Sequence, residues 1–472
     1  MTMEEVAEGY LNELINRNLV QVTDFTKDGR SIAYRIHGLW REMIIAKSRE
    51  QNIVTITSQR GTTWPEQLRR LSIQHDLEDI QQSICCVRLR SLLVFEAIDP
   101  LSILSKLASL GKGIRLLTVL DLRGAHLETF PHEVLNLLYL TYLSLRETNI
   151  KTIPKSIGKL KKLETLDLKH TKVDELPNEI LKLQYLRHLL LYRYSYNVEQ
   201  SGYFPFLASI GFKAPAGVGS LMYLQKLCAI DVNQGGNSGI VLGEVGKLTQ
   251  LRKLYLLRLQ KEDGTVLCSS LEKLNNLRSL DVTAAKECEI IDLDSLSLPP
   301  RLLRTLFLKG RLETIPHWIP SLNNLQKLHL CWSKLKDVDP LLSLQDLPSL
   351  LFLELGTAYE GDGLLFKAGG FQKLKHLWLV HLARLKWVRV ESSSMLLLEE
   401  LRLEDCKLMT ELPSGVEHLA HLKDLRLHDM SETLTSSLNR DLGGGDYWKI
   451  AHVPNAWVHD FRSGIWTMSP IL

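Results

Sequence analysis

The chain has 472 residues, of which 45% are apolar and 24% charged; this is the composition of an ordered globular protein and excludes bulk disorder. Its 57 basic and 54 acidic side chains nearly cancel, so a net charge of +3 supplies no long-range field toward nucleic acid or anionic lipid. Seven cysteines (Cys85, Cys86, Cys228, Cys268, Cys288, Cys331 and Cys406) are scattered without CxxC spacing, which excludes a zinc motif and points to reduced intracellular thiols.

The chain opens with Glu4, Glu5 and Glu8 in place of a basic start, and holds no uninterrupted apolar stretch of about 18 residues. Neither a secretion signal nor a membrane span is expected. Glu4 to Val22 reads as an amphipathic helix, because Val6, Tyr10, Leu11, Leu14 and Ile15 recur at helical spacing. Asp28-Gly29 predicts a turn, Ser31 to Ile36 a short strand, and His37 to Ile45 a second helix. Helix, hairpin and helix make a partial winged-helix subdomain, assigned to residues 1–60.

From Leu117 onward the pattern L-x-x-L-x-L returns, first as Leu117-Thr118-Val119-Leu120-Asp121-Leu122. Further starts fall at Leu140, Leu163, Leu186, Leu224, Leu251, Leu277, Leu303, Leu325, Leu350, Leu374, Leu398 and Leu422, with Ala229 and Val282 the only substitutes at the third apolar place. The intervals are 22 to 27 residues, apart from one of 38, which fits a leucine-rich repeat of about 20 to 29 residues. Each L-x-L is a short strand with inward leucines, and the rest of the coil returns as helix or irregular chain. A single coil cannot bury its own leucines. Stacking coils about 4.8 Å apart makes one apolar core and a curved parallel sheet. The predicted fold class is therefore an α/β repeat: a leucine-rich-repeat solenoid over residues 61–442, preceded by the partial winged helix. Weaker matches at Leu68 to Ile73 and Leu89 to Val94 start the solenoid near residue 65. Pro131, Pro154, Pro177, Pro316 and Pro413 each follow an apolar residue in a return segment, where a fixed φ costs no sheet hydrogen bond.

Between Leu191 and Leu224 the period breaks, and Tyr192, Tyr194, Tyr196, Tyr203, Phe204 and Phe206 gather among glycines and prolines. This predicts an insertion near 192–223, serving either as a contact surface or as a loop that packs its rings on the solenoid. After Gly443-Gly444-Gly445, residues 443–472 carry Trp448, Trp457 and Trp466 and read as a cap on the end of the core.

Strand alternation points the residue between the last two leucines onto the concave sheet surface. In chain order these are Asp121, Ser144, Asp167, Leu190, Cys228, Tyr255, Asp281, Phe307, His329, Glu354, Trp378, Arg402 and Arg426. Rings on an open sheet face are costly to leave wet, and aromatic residues and arginine are enriched at binding hot spots. Tyr255, Phe307, His329 and Trp378 are thus candidate anchors, with Arg402 and Arg426 beside them; the competing reading has the rings packed on one another or under the insertion. Further along the early strands, Arg123, Arg146 and Lys169 predict a short basic ladder, for an acidic partner or simply for water.

The segment Glu5 to Val22, with Leu11-Asn12-Glu13-Leu14-Ile15-Asn16-Arg17-Asn18-Leu19-Val20, resembles the winged-helix subdomain of plant nucleotide-binding leucine-rich-repeat immune receptors. Arg35-Ile36-His37-Gly38-Leu39-Trp40-Arg41-Glu42 falls where that family carries its methionine-histidine-aspartate motif, with Ile36 for the methionine and Gly38 for the aspartate. Coils such as Leu163 to Leu186, with Leu176-Pro177-Asn178-Glu179-Ile180, resemble the family's intracellular repeats. Asp446-Tyr447-Trp448-Lys449-Ile450 with His452-Val453-Pro454 resembles the tail of its coiled-coil-type members.

The resemblance covers essentially the whole chain, as the C-terminal portion of such a receptor without the nucleotide-binding core. It implies a cytoplasmic recognition module that senses pathogen effectors or modified host proteins and helps keep the nucleotide-binding core inactive. For His37 it implies a nucleotide-sensing remnant near the phosphates of ADP. No G-x-x-x-x-G-K-[ST] occurs: Gly111-Lys112-Gly113, Gly158-Lys159 and Gly246-Lys247 lack the earlier glycine and the hydroxyl residue. No cofactor is expected for this chain alone, ADP or ATP belonging to full-length members. No Ser/His/Asp, Cys/His or metal-ligand spacing points to catalysis, so no enzyme is expected. The expected partners are proteins: a pathogen effector, a guarded host protein, or the nucleotide-binding domain of the parent receptor, and no nucleic acid. The alternative is a free-standing intracellular scaffold or signalling adaptor using the same face.

Overall fold

A computed structural model describes residues 3–25, 31–51, 55–57, 69–74, 89–95, 112–194, 206, 209–233, 236–336, 339–438, 445–462 and 465–471. The chain divides into two compact units, Met1–His126 and Leu127–Leu472.

In the first unit, helix α1 (Met3–Asn16) leads into β1 (Val20–Phe25), which pairs antiparallel with β2 (Ser31–Ile36), and α2 (Gly38–Glu50) follows. The helix predicted to reach Val22 stops at Asn16. Asn18 turns through the left-handed region at φ 57°, and Val20 and Val22, better suited to a pleated strand, join β1. The Asp28-Gly29 turn lies outside the described residues. Tyr10, Leu14, Leu39, Trp40, Met43 and Ile44 remain 40% to 70% exposed.

A parallel sheet then begins with β3 (Thr55–Thr57), β4 (Arg70–Gln74), β5 (Ser91–Phe95) and β6 (Val119–Asp121), paired in that order. Leu71 stands opposite Leu92 and Ile73 opposite Val94, the register expected from the two weak matches. The sheet nevertheless starts earlier than residue 65. Thr55-Ile56-Thr57 carries no leucine signal, but its β-branched residues form a strand inside the stretch assigned to the winged helix.

The second unit contains β7 (Tyr142–Ser144), β8 (Thr165–Asp167), β9 (His188–Leu190), β10 (Arg193–Tyr194), β11 (Ser209–Ile210), β12 (Lys226–Asp231), β13 (Lys253–Leu259), β14 (Ser279–Ala284), β15 (Thr305–Lys309), β16 (Lys327–Cys331), β17 (Phe352–Gly356), β18 (Gly363–Phe366), β19 (His376–Val380), β20 (Trp387–Val390), β21 (Glu400–Glu404), β22 (Asp424–His428), β23 (Asn455–Arg462) and β24 (Ile465–Pro470). Helices α3 (Ser238–Val245), α4 (Gly264–Leu271) and α5 (Glu432–Ser437) lie in return segments. One coil strand pairs in parallel with the next from β7 to β23. Leu143, Leu166 and Leu189 face one another across strands, as do Leu328, Leu353 and Leu377. All coil-starting leucines are at most 2% exposed, and burying each contributes roughly 2 to 3 kcal/mol.

The return segments explain the prolines. Pro131, Pro154 and Pro177 each precede a short 3-10 turn, and their carbonyls accept from the N–H groups of Val134, Ile157 and Ile180 at 3.1, 3.0 and 3.0 Å. Pro316 and Pro413 serve Ile319 and Val416 in the same way. On leaving the strand the chain turns through the left-handed region at a repeated place: Glu147, His170, Trp332, Thr357, His381, Asp405 and Asp429 have φ between 48° and 61°.

The tail, expected as a cap, contributes strands to the sheet. Val453-Pro454-Asn455-Ala456-Trp457-Val458 is one further, degenerate coil: Val453 and Ala456 are buried, β23 pairs in parallel with β22, and β24 folds back antiparallel on β23. Among the described residues no helix is long and apolar enough to cross a membrane. Cys228, Cys268, Cys331 and Cys406 are buried free thiols and Cys288 is exposed; burial pushes Cys406 up to about 12.

Candidate protein-binding face

The place between the last two apolar residues of a coil has two different uses. In the coil of β8 it serves the backbone. Asp167 Oδ1 accepts from the Lys169 N–H at 3.0 Å while Oδ2 lies 3.3 Å from Lys169 Nζ. The Thr148 and Thr171 hydroxyls donate to the Leu145 and Leu168 carbonyls at 2.7 Å, so the strand-leaving turn is internally satisfied. In the first unit Asp121 accepts from the Arg123 N–H at 3.1 Å in the same way. Asp121, Ser144 and Asp167 are buried, a correction to their expected placement on an open face.

The basic ladder is also not an open row. Arg146 Nε lies 2.8 Å from Glu147 Oε1, Lys169 is held by Asp167, and half-buried Arg123 belongs to the first unit. Burial, followed by the Arg146 charge, lowers the pKa of His170. Its ring packs 5.3 Å from Tyr192 and 5.6 Å from Tyr194.

Tyr194 and Arg193 belong to β10, which pairs antiparallel with β11 as the stem of the insertion. The described residues of the insertion pack on the solenoid. Ser209 hydrogen-bonds the Tyr255 hydroxyl, which also meets Thr283, and burial holds this phenol well above its ordinary range. Phe206 is buried with its ring edge-on to Trp332 at 5.7 Å, and Lys309 Nζ stands 5.6 Å from the same ring. Gly211 presses against the Ala229 carbonyl, where a Cβ would come within 2.2 Å, so no other residue fits there. Tyr255 is thus half-buried, with its hydroxyl held by Ser209 of β11, instead of standing open. Tyr196, Tyr203 and Phe204 lie outside the described residues.

Farther along, one stack of rings crosses β15 to β19. Phe307 lies 5.2 Å from His329, His329 4.8 Å from Phe352, and Phe352 5.0 Å from Trp378. His329 Nδ1 meets Glu354 Oε2 at 2.7 Å. His329 is 2% and Trp378 6% exposed, so these two anchors are corrected from open to buried. The cause is lateral: strands about 4.8 Å apart bring neighbouring rings into contact, and they shield one another. Phe352, two places before Glu354 and therefore on the same face, links the stack and was missed by reading only one place per coil.

The row ends differently. Trp378, Arg402, Arg426 and Trp457 stand in register on β19, β21, β22 and β23. The Arg402 guanidinium lies 4.9 Å over the Trp378 ring, and its Nη2 pairs with Glu404. Arg426 Nε is 3.9 Å from Glu400, which also meets His376 Nδ1 at 3.0 Å. Burial raises Glu400, but His376, Arg426 and Arg402 outweigh it and hold its carboxyl below the ordinary range. Arg402, Arg426 and Trp457 are half-buried, each keeping part of its surface in water. Trp457 was missed because Val453-x-x-Ala456-x-Val458 lacks leucine. In the first unit the His37 side chain is exposed, while its carbonyl accepts from the Arg41 N–H at 2.9 Å.

Comparison with known proteins now gives this geometry a family. Residues 88–436 match the family described as Leucine-rich repeat region, and residues 1–44 match Disease resistance protein Winged helix domain. Over 466 residues, 98% of this chain and 48% of the relative, it is 37% identical to disease resistance protein RPM1 of Arabidopsis thaliana. The chain belongs to the plant nucleotide-binding leucine-rich-repeat disease-resistance proteins. Disease resistance protein RPP8 of the same plant is 28% identical, over 96% of the chain and 49% of that relative. The chain spans about half the length of the curated disease-resistance relatives it matches. Among solved structures, the plant peptide hormone receptor RGFR1 in complex with RGF2 aligns with 79% of the chain and 67% of its own, at 20% identity and a TM-score of 0.45.

Proposed function

We propose that this disease-resistance chain recognises a pathogen effector or a modified host protein through the face spanning β15 to β23, without a reaction of its own. The observation that carries the reading is the half-buried row Arg402, Arg426 and Trp457, in register beside the buried ring of Trp378. Arginine and tryptophan are the residue types that dominate binding energy at interfaces, and the ring stack behind them is held rigid before any partner arrives, which lowers the ordering cost of association. The same chain, in the cytoplasm and within a full-length receptor, helps hold the nucleotide-binding domain inactive. Leu39, Trp40, Met43 and Ile44 on α2 support that part, as an apolar surface of this kind is normally covered by another protein surface.

The test uses tagged chain in challenged leaf tissue. Arg402→Ala with Arg426→Ala is expected to abolish capture of the effector or host protein that the wild type retains, in a chain that circular dichroism shows to be folded. Wild-type capture by the double variant rejects this face as the recognition surface.

A further inference from the structure

Each coil enters its strand through a tight turn, and the residue just before the starting leucine stands on the rim of the sheet. In two later coils that place braces the backbone: Asn276 Nδ2 donates to the Thr249 carbonyl at 3.0 Å and Asn324 Nδ2 to the Arg301 carbonyl at 2.9 Å, while in two others it holds exposed Leu302 and Leu397. The coils starting at Leu140, Leu186 and Leu224 put Tyr139, Tyr185 and Tyr223 there, 47%, 59% and 59% exposed. One place earlier, Leu138 and Met222 are 53% and 50% exposed. Tyr185 stacks on Tyr223 at 6.2 Å and 22°, and Lys162, at the same place in the intervening coil, sets its ammonium 4.3 Å from the Tyr139 ring centre.

Folding does not account for this row, since asparagine at the same place satisfies the backbone and keeps apolar surface out of water. Single exposed apolar residues are ordinary, but a contiguous row of them marks an interaction surface. Its charge is basic: Lys161 and Lys162 are exposed beside the rings, while the nearby Glu164 carboxylate lies 3.4 Å from Arg187.

We propose that this rim is a second docking surface, for a protein segment that alternates carboxylates with apolar side chains. Leu138, Met222 and the tyrosines take the apolar side chains, and the lysines take the carboxylates. A nucleic-acid strand is disfavoured because the rings stack on one another and under Lys162 instead of standing apart to admit bases between them. The rim shares none of the residues of the row from Trp378 to Trp457, so it stands or falls separately from it.

The probe is a library of short random peptides selected on the intact chain, with retained peptides measured by fluorescence anisotropy. The retained class is expected to flank apolar residues with carboxylates and to weaken as salt rises. Tyr139→Ser, Tyr185→Ser and Tyr223→Ser combined should weaken it about tenfold or more. Lys161→Glu with Lys162→Glu should do so as well, both at an unchanged circular dichroism melt, and Arg402→Glu with Arg426→Glu should leave it unaltered. Retained peptides without acidic character, affinity indifferent to the tyrosine and lysine variants, or an oligouridine RNA bound in preference to the peptides through the same tyrosines would each overturn the proposal.

Discussion

The coils around β7 to β9 and those around β15 to β22 are written in one leucine pattern and differ at the place between the last two apolar residues of a coil. In the early coils that place holds Ser144 and Asp167, which are buried, and the strands are three residues long. In the later coils it holds Phe307, His329, Trp378, Arg402 and Arg426, and the strands are five residues long. The apolar ladder is common to both. What differs is whether the variable side chain stays within its own coil, as Asp167 does, or builds a layer with its neighbours on adjacent strands, and only the second arrangement leaves Arg402, Arg426 and Trp457 with part of their surface in water.

The sharpest way to break this comparison is to attack what the two regions share. Leu166→Ala and Leu353→Ala each remove a fully buried side chain from the ladder and are expected to cost about 2 to 5 kcal/mol each, read as a lowered urea midpoint. A large loss in one region and a negligible loss in the other would show that the two sets of coils are not held together by the same core. A smaller effect should separate them. Asp167→Ala strips the Lys169 N–H of its acceptor and the ammonium of its carboxylate, at a cost of about 1 to 3 kcal/mol in thermal unfolding. Arg426→Ala, at the corresponding place, removes only a long ion pair of 3.9 Å and should cost about 1 kcal/mol or less. Equal losses would mean that Arg426 is as structural as Asp167.

Those expectations follow from what the sequence could and could not show. Leucine spacing is a local signal with a strong period, so the coil starts from Leu117 to Leu422 could be read directly, and all are buried. Lateral packing is not local. That Phe352 joins His329 to Trp378 depends on which residues lie opposite across strands, and that Phe206 lands on Trp332 depends on where the insertion travels, neither of which a coil-by-coil reading contains. At both ends the leucine signal fades: Thr55-Ile56-Thr57 forms a strand on β-branched residues alone, and Val453 to Val458 forms a coil on valine and alanine. The loss at the second end hid Trp457, and with it the completion of the row that carries the proposed recognition.

The smallest expected effect concerns charge in the later coils. Glu399 receives hydrogen bonds from Lys375 at 2.6 Å and Lys423 at 2.9 Å, from the coils on either side, and these hold its carboxyl down to about 2 from 4.5. A carboxyl whose pKa is lower folded than unfolded adds stability above pH 4.5, and that contribution drains away as pH falls toward about 2. Water and salt screen much of the interaction, because the side chains of Glu399, Lys375 and Lys423 are 30%, 44% and 59% exposed, so it amounts to about 1 kcal/mol or less. Glu399→Gln should therefore lower the urea midpoint slightly at neutral pH and should converge on the wild type as the pH approaches 2. A deficit that persists undiminished in acid would place the role of Glu399 in packing rather than in charge.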